Sequence, residues 1–349
     1  MRTEILHADD AALERAAHVI RTGGLVAFPT ETVYGLGADA LNDQAVHKVF
    51  LAKDRPLDDP LIVHIAHVEQ LSLLARHIPQ RAWDLTKKFW PGPLTLVLPK
   101  TDRVPAVTTG GLDTVAVRAP AHPVARSLIE RSGVPIAAPS ANRFGRPSPT
   151  TAQHVWEDLN GRIDLILDGG PTPIGVESTV LDLTQEPPMV LRPGGVTLEE
   201  LREVLGEVRL LNSSEDSSEA AKRSPGTRYR HYAPRARVLL VEQGAAEAAL
   251  KRLSGKRVGV LVHRDLTPRP PSRSGKGELP SPRRGGAGGE VIVIQMPQSL
   301  KAYARRLFAV LRELDAQGVD VIIVEKLEER GLGRAIMDRL RRASSEKNA

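Results

Sequence analysis

The stretch PTETVYGLGADA (residues 29–40) follows the apolar run LVAF and passes into polar and glycine residues. Two other stretches share its pattern: KDRPLDDPLIVH (residues 53–64) and APSANRFGRPS (residues 138–148). In each, a β-type apolar run adjoins polar residues broken by glycine or proline, which is typical of a strand that presents side chains at one edge of an α/β sheet. Three such edges predict one shared pocket.

The chain length predicts two domains, since 349 residues exceed the roughly 250 that one hydrophobic core supports. We predict a mixed twisted sheet with helices over residues 1–211, because the short connection between STVLDLT and MVLRPGG favours antiparallel pairing. Residues 212–236 have a linker composition. Residues 237–349 alternate strand and helix, which indicates a smaller Rossmann-like three-layer α/β domain. Its Pro-, Gly-, Ser- and Arg-rich insertion, residues 264–289, predicts a disordered surface loop.

The charge of +6 is unevenly placed along the chain. Residues 222–237 carry +6 and residues 264–289 carry +4, which leaves −4 for the remainder. The predicted folded parts are therefore mildly acidic, and this balance argues against a nucleic-acid-binding fold. The chain has no cysteine, which excludes disulfides and thiolate catalysis. It shows neither a signal-peptide pattern nor an apolar run of about 20 residues, and we predict a cytoplasmic protein.

The common nucleotide and metal motifs are missing from the sequence. Neither GxxxxGK[ST] nor GxGxxG occurs, and Gly331 to Gly333 lack the third glycine of a dinucleotide site and fit a tight turn into a helix. No HExxH or clustered Cys and His set is present, so we expect no protein-bound metal. The GxSxG nucleophile elbow is missing as well.

Cationic side chains at the predicted strand ends are the first candidates for chemistry. Lys53 and Arg55 lie two residues apart, so in an extended segment both would point the same way and grip phosphate oxygens. The alternative is an ordinary solvated surface pair. Arg118 ends the apolar strand TVAVR and needs either an acidic partner in the protein or an anionic ligand.

Hydroxyl, amide and imidazole groups stand at the other strand ends. Ser140 and Asn142 follow IAAP, where they could donate hydrogen bonds to a phosphate or purine or simply form a turn. His64, within LIVHI, is either a core histidine or a ligand-binding residue. Ser178 follows a glycine-containing loop, and Arg192 precedes the turn of LRPGG. The clustering of polar residues at strand ends carries more weight than any one of them.

Taken together, these motifs resemble the YrdC-like family of threonylcarbamoyl-AMP synthases in its longer two-domain form. The matching segments occur in order: PTETVYGLGADA, KDRPLDDPLIVH, WPGPLTLVL, VAVRAP, APSANRFGRPSPT, GVESTVLD, LRPGG, SPGTRYRHYAP and, near the end, GLGRAIMDRL. The resemblance implies a nucleotidyltransferase that converts L-threonine, bicarbonate and ATP into threonylcarbamoyl-AMP and pyrophosphate. This is the first step toward threonylcarbamoyladenosine in tRNA.

The resemblance also implies roles for individual residues. Lys53, Arg55, Ser140 and Asn142 would hold the nucleotide and its phosphates as the catalytic set. Threonine would be bound by Thr32, His64, Arg118 and Ser178. Asp59, Thr114, Ala138, Ser148, Arg192 and Tyr232 would complete the ATP site. Mg²⁺ would arrive with ATP, the downstream tRNA threonylcarbamoyl transferase machinery would be a partner, and tRNA itself is a further candidate.

One position departs from the usual pattern of this family. The family usually has asparagine where this chain has Asp59, and a carboxylate beside ATP phosphates is repulsive unless it faces a cation. We therefore expect Asp59 either to help place Mg²⁺ or to point away from the phosphates.

Tyr229 and Tyr232 lie in the basic linker without core periodicity. They predict a lid that folds over the pocket and excludes water, the alternative being a solvated tether.

Two other functions are compatible with parts of the sequence. A noncatalytic tRNA- or rRNA-binding protein could use the basic linker and loop, and its binding would depend steeply on salt. The acidic balance elsewhere and the lack of an aromatic stacking platform argue against it. An ATP-using ligase of another carboxylate substrate would keep the Lys and Arg pair but prefer a different amino acid.

Overall fold

A computed structural model describes residues 2–211, 219–226, 231–263 and 289–344. The linker Tyr229 and nearly all of the insertion predicted to be a disordered loop, residues 264–288, lie outside the described residues. None of the helices in the described ranges is long and apolar enough to cross a membrane.

The first part of the chain alternates strands and helices up to Leu210. Its strands are β1 (Glu4–His7), β2 (Val26–Pro29), β3 (Tyr34–Asp39), β4 (Ile62–His64), β5 (Leu94–Pro99), β6 (Thr114–Arg118), β7 (Ile136–Ala137), β8 (Leu165–Asp168), β9 (Thr179–Asp182), β10 (Met189–Arg192) and β11 (Arg209–Leu210). Its α-helices are α1 (Asp10–Arg21), α2 (Asp43–Lys53), α3 (Leu71–Leu74), α4 (Gln80–Phe89), α5 (Pro123–Ser132), α6 (Ala152–Leu159) and α7 (Leu198–Leu205), and a 3₁₀ turn at Val68–Gln70 precedes α3.

The helices begin and end where local chemistry satisfies their free backbone groups. The Asp9 carboxylate accepts from Ala12 N at the start of α1, and the Asn42 side chain accepts from two amides at the start of α2. At α7, the Thr197 and Glu200 side chains form a reciprocal capping box. These signals are local, so the residues around each helix end already contain them.

The described strands of the first part form one 11-stranded mixed sheet, in the order β1-β8-β2-β3-β7-β4-β6-β5-β9-β10-β11. The prediction of a mixed α/β fold is confirmed, including antiparallel pairing of β9 with β10. The sequence pattern did not predict β1, β3 or the two-residue β11. The segment of β3 contains two glycines, which weaken a strand signal, yet β3 pairs antiparallel with β2 in the core.

The second part is a parallel four-stranded sheet with helices on both faces, as predicted. After a short linker helix α8 (Glu219–Lys222) come β12 (Arg237–Val241), α9 (Ala246–Lys251), β13 (Val258–Val262), β14 (Val291–Gln295), α10 (Leu300–Ala316), β15 (Val321–Glu325) and α11 (Leu332–Ser344). The strand order is β12-β15-β13-β14, and every pairing is parallel. Helices α10 and α11 cover one face and α9 the other.

Helices α10 and α11 also pack against the first sheet and so position its loops. A Cβ on Gly175, whose φ is +84°, would lie 2.3 Å from the Arg305 Cα, so the loop before β9 is in backbone contact with α10. Buried Arg312 of α10 pairs with Asp158 of α6 at 2.6 Å. The two parts therefore meet through close backbone packing and buried charge.

Candidate active site

One cavity lies where the ends of β2, β4, β6 and β7 meet the linker. All of its lining residues come from the first part of the chain and the linker: Thr30, Thr32, Val33, Gly35, Arg55, Ile62, His64, Arg118, Ala138, Pro139, Ser140, Glu177, Ser178, Arg192, Pro225, Gly226, His231 and Tyr232. The three sequence stretches that predicted a shared pocket each contribute to this wall. Strand ends from distant parts of the chain thus converge on one site.

Arg55 is held in a fixed position at this cavity. Its guanidinium donates to the Asp59 carbonyl at 3.2 Å and to the Pro60 carbonyl at 2.9 Å, and it forms an ion pair of 2.9 Å with the Asp59 carboxylate. Asp59 is fully buried, is not among the lining residues, and accepts a hydrogen bond from Gly226 N at 3.1 Å. The carboxylate that departs from the family pattern therefore faces a cation and the linker.

Arg118 has an acidic partner inside the protein, one of the two alternatives that the sequence left open. Its Nη2 lies 2.6 Å from the Glu31 carboxylate, and its Nη1 donates to the Thr32 hydroxyl at 3.0 Å. Arg118 also lines the cavity, so its ion pair with Glu31 leaves it able to contact a ligand. Glu31 also accepts from Ala121 N at 3.0 Å, which fixes the carboxylate in place.

Arg192 connects the first sheet to the linker. It donates to the Ser178 carbonyl at 3.1 Å, to the Ser178 hydroxyl at 3.2 Å and to the Pro225 carbonyl at 3.1 Å. Burial lowers the pKa of Arg192. A guanidinium stays protonated despite such a shift, so Arg192 remains a cation at the cavity wall.

His64 is both a core residue and a cavity residue. It is 3% exposed, and its ring contacts Phe28 edge-on at 6.4 Å between centroids. Burial, with a smaller contribution from Arg118, lowers the pKa of His64 to about 3. Its Nδ1 has no hydrogen-bond partner among the described residues. The ring is therefore neutral near pH 7 and offers an unused polar atom to a ligand.

The local geometry expected for Lys53 and Arg55 was wrong. Lys53 is the last residue of α2, and Asp54, at φ +54°, turns the chain, so the two cations do not share one extended segment. The Lys53 ammonium is buried and donates to the carbonyls of Ser140 and Asn142. Burial, with a smaller contribution from Arg55, places the pKa of Lys53 well below its usual value. Lys53 thus supports the loop that carries Ser140 and does not line the cavity.

The remaining predicted residues fall into two groups. Ser140 and Ala138 line the cavity, and Ser140 forms an isolated β-bridge with Gly35. Asn142 lies behind it and donates to two loop carbonyls, while its Oδ1 has no partner among the described atoms. Ser148 is buried behind the wall. Thr114, the first residue of β6, is not among the residues that line the cavity.

The described linker residues lie against the cavity. His231 is 7% and Tyr232 3% exposed, whereas a solvated tether would leave both in water. Tyr232 has φ +62° and stacks on Phe308 of α10 with centroids 5.4 Å apart. His231 meets Phe144 edge-on at 4.7 Å. His231 and Tyr232 are thus packed against the cavity, and Tyr232 also contacts the second part of the chain.

Sequence reasoning missed Glu177 and Arg339. Glu177 lines the cavity and is 6% exposed, while Arg339 of α11 is 1% exposed and pairs with it at 2.7 Å. The two residues are 162 positions apart. No local pattern announces such a pairing, although an arginine within the helical ending GLGRAIMDRL, whose register buries it, is a usable signal.

Comparison with known families covers nearly the whole chain. Residues 18–194 match the family model described as Telomere recombination, which covers Sua5, yciO and yrdC proteins, and residues 196–345 match Threonylcarbamoyl-AMP synthase, C-terminal domain. A threonylcarbamoyl-AMP synthase of Pyrococcus abyssi is 52% identical over 94% of this chain and 93% of its own length. One from Bacillus subtilis is 44% identical over 98% and 95%, respectively. A shorter one from Pseudomonas putida is 37% identical over 52% of this chain and 97% of its own length.

Solved structures give the same result. The crystal structure of Pyrococcus abyssi Sua5 complexed with L-threonine aligns with a TM-score of 0.85 at 50% identity, over 98% of this chain and 97% of that one. A doubly substituted form of the same protein aligns with a TM-score of 0.86. Both alignments cover 98% of this chain and so include both sheets.

Proposed function

The chain belongs to the threonylcarbamoyl-AMP synthase family, and on that premise we propose that it makes threonylcarbamoyl-AMP and pyrophosphate from L-threonine, bicarbonate and ATP. The observation that carries the proposal is the convergence of Arg55, Arg118 and Arg192 on one cavity. Three fixed cations suit a substrate set that contains a triphosphate and a carboxylate.

The proposed chemistry needs positioning more than covalent catalysis. The threonine amino group and bicarbonate combine to a carbamate with loss of water. A carbamate oxygen then attacks the α-phosphorus of ATP, and the bond from that phosphorus to the pyrophosphate oxygen breaks. Charge builds up on the phosphoryl oxygens and on the departing pyrophosphate, so preorganised cations lower the barrier. The cavity meets this need without an activated nucleophile.

We propose individual roles for the residues that line the cavity. Arg118 would bind the threonine carboxylate beside its Glu31 partner, with Thr32, Ser178 and neutral His64 around it. Arg55, Arg192, Ser140 and Ala138 would face the nucleotide. Lys53 and Asn142 would act on ATP through the loop that they brace, and Ser148 through Glu177. The predicted contact of Thr114 with the nucleotide has no support from the geometry.

The linker is proposed to act as a lid, defined by its described residues 224–226 and 231–235. Its Pro225, Gly226, His231 and Tyr232 line the cavity, and it is held by Arg192 and Asp59. A carbamate and a mixed anhydride both decompose in water, so a closed lid would protect them during the reaction. ATP must enter before the lid closes.

Mg²⁺ is proposed to enter with ATP as part of the substrate. The described residues include no group of three His, Asp or Glu side chains that could hold a metal. Asp59, the carboxylate considered for that role, is committed to Arg55 and to Gly226 N. Of the two expectations for Asp59, the geometry favours the one in which it points away from the phosphates.

The wider setting follows from the proposed product. An acyl adenylate is reactive, so a transferase that delivers the threonylcarbamoyl group to tRNA would be the downstream partner. Direct tRNA binding and a cytoplasmic location stay predictions. The shared name of the relatives favours the enzyme over the noncatalytic RNA-binding alternative.

The test is pyrophosphate release by purified protein with ATP and Mg²⁺, with threonine and bicarbonate each supplied or omitted. We expect release that requires both. Release with another amino acid in preference to threonine would favour the alternative ligase. A folded protein that releases none under any combination would contradict the proposal.

A further inference from the structure

Glu177 is the one acidic side chain among the described residues that line the cavity, which otherwise presents Arg55, Arg118 and Arg192. It is 6% exposed, and one of its oxygens accepts a hydrogen bond from the Ser148 hydroxyl. A buried carboxylate facing a site for a triphosphate would repel that ligand, because screening by water is weak there. The cavity therefore needs a counter-charge for Glu177.

The counter-charge comes from the second part of the chain. Arg339 of α11 donates from Nε to the other Glu177 oxygen at 2.7 Å, and its side chain is fully buried. Its Nη1 donates to the Pro193 carbonyl at 2.8 Å and to the Asp338 carboxylate at 2.6 Å. These bonds fix the guanidinium, so the ion pair has one geometry.

Arg339 also supports the lid. Its guanidinium carbon lies 5.3 Å from the ring centroid of Tyr232, within the range of a cation–π contact. Tyr232 lines the cavity on its other side. One buried cation thus contacts both the acidic residue of the wall and the aromatic residue of the lid.

We propose that Arg339 is a positioning residue for ATP, which neutralises Glu177 and holds Ser148 and Tyr232 in place from the second domain. This inference rests on the proposed function, since it assigns an element of the same site. Arg339 touches no substrate and is not itself among the lining residues. Its effect on the nucleotide is transmitted through the charge of Glu177.

Neutralisation of Glu177 and a purely structural role of Arg339 predict different results for a double variant. Arg339→Met leaves Glu177 buried and unpaired, so ATP binding should weaken by about tenfold or more. Glu177→Gln/Arg339→Met removes both charges at once, so ATP affinity should return to within about threefold of wild type. If Arg339 served only to dock the domains, removing a second partner of the same contact would not restore binding.

Arg334→Met provides a matched control on the same helix. Arg334 of α11 also reaches the first sheet's domain, where it pairs with Glu199 at 3.2 Å, but Glu199 does not line the cavity. The experiment is calorimetric titration of each full-length protein with ATP and Mg²⁺ in the absence of threonine, together with KM for ATP and for threonine. We expect Arg334→Met to bind ATP as wild type does, and Arg339→Met to raise KM for ATP more than KM for threonine.

Two results would overturn the inference. One is a double variant that binds ATP as weakly as Arg339→Met while thermal unfolding shows both to be folded. The other is equal loss of ATP affinity in Arg334→Met and Arg339→Met, which would indicate general loosening of the domain contact. Because ATP affinity is measured without turnover, a wild-type protein that binds ATP but releases no threonine-dependent pyrophosphate contradicts the proposed function alone.

Discussion

Buried arginines serve different ends in the two domains. In the first, Arg55, Arg118 and Arg192 present their guanidinium groups to the cavity. In the second, Arg312 and Arg339 are directed at carboxylates of the first domain. Burying a cation costs free energy unless a partner compensates it, so the second domain has its buried cations where they meet first-domain anions. The first domain thus holds the cations of the cavity, and the second pairs with buried carboxylates of the first.

The shorter relative from Pseudomonas putida sharpens this comparison. It has the same name as the longer relatives while spanning 52% of this chain. In this chain, linker residues line the cavity, and Arg339 of α11 pairs with the wall residue Glu177 from behind. The second domain therefore adds to a site whose cations are already present in the first.

The largest effect is expected from Arg55→Ala, which removes a cavity cation. We expect pyrophosphate release to fall by about 10²–10³ or more, the range for losing one preorganised charge at a reacting group. Steady-state release at saturating ATP measures it. Arg55→Lys keeps a charge near Asp59 and reports whether folding alone is at fault. Arg15→Ala, which breaks an exposed ion pair with Glu4, should leave the rate of pyrophosphate release unchanged. An equal loss in Arg15→Ala would contradict a specific role of the cavity cation Arg55.

A smaller loss is expected from Tyr232→Ala, at the junction of the two domains. Removing the ring opens the cavity and deletes the stack on Phe308, so kcat for pyrophosphate release should fall by about tenfold through loss of water exclusion. Tyr232→Phe keeps the stack and should retain most of the activity. Full activity in Tyr232→Ala would rule out the lid and leave the linker a connector only.

Asp59→Asn tests whether the first domain's cavity uses a protein carboxylate for metal. Asp59 is occupied by Arg55 and Gly226 N, so the Mg²⁺ dependence of pyrophosphate release should not change. Removing the negative charge beside Arg55 should leave ATP affinity equal or slightly higher. A tenfold or greater rise in the Mg²⁺ concentration needed for half-maximal release would instead make Asp59 a metal-placing residue.

A separate effect, on stability and not on catalysis, concerns how the free energy of unfolding of the first domain depends on pH. The folded-state pKa of His64, about 3, is below its ordinary 6.5, so between these values the unfolded chain binds a proton that the folded chain does not. The free energy of unfolding should therefore fall as pH drops through this window, by up to about 1.4 kcal/mol per pH unit. Urea unfolding at about pH 7 and about pH 5 measures it, and His64→Gln should flatten the slope. Equal slopes in both proteins would contradict the shift.

Local pattern predicted most elements and only part of the site. Helix α7 is an element that local pattern can predict, because its capping box and apolar spacing are written in neighbouring residues. Strand β3 was missed because its two glycines weaken the strand signal in the sequence, whereas pairing with β2 stabilises it in the fold. The extended segment expected for Lys53 and Arg55 was wrong, because α2 continues through Lys53 and the positive φ of Asp54 then turns the chain.

The sequence by itself determined the two-domain α/β fold, the family and the polar strand ends that form the cavity. Periodicity, caps and ordered motifs act within a few residues or one strand, so they can be read along the chain. Tertiary structure alone decided that Glu31 pairs with Arg118 and that Arg339 pairs with Glu177. Such pairs join residues 87 and 162 positions apart, and they form only after the sheets and helices between them have packed.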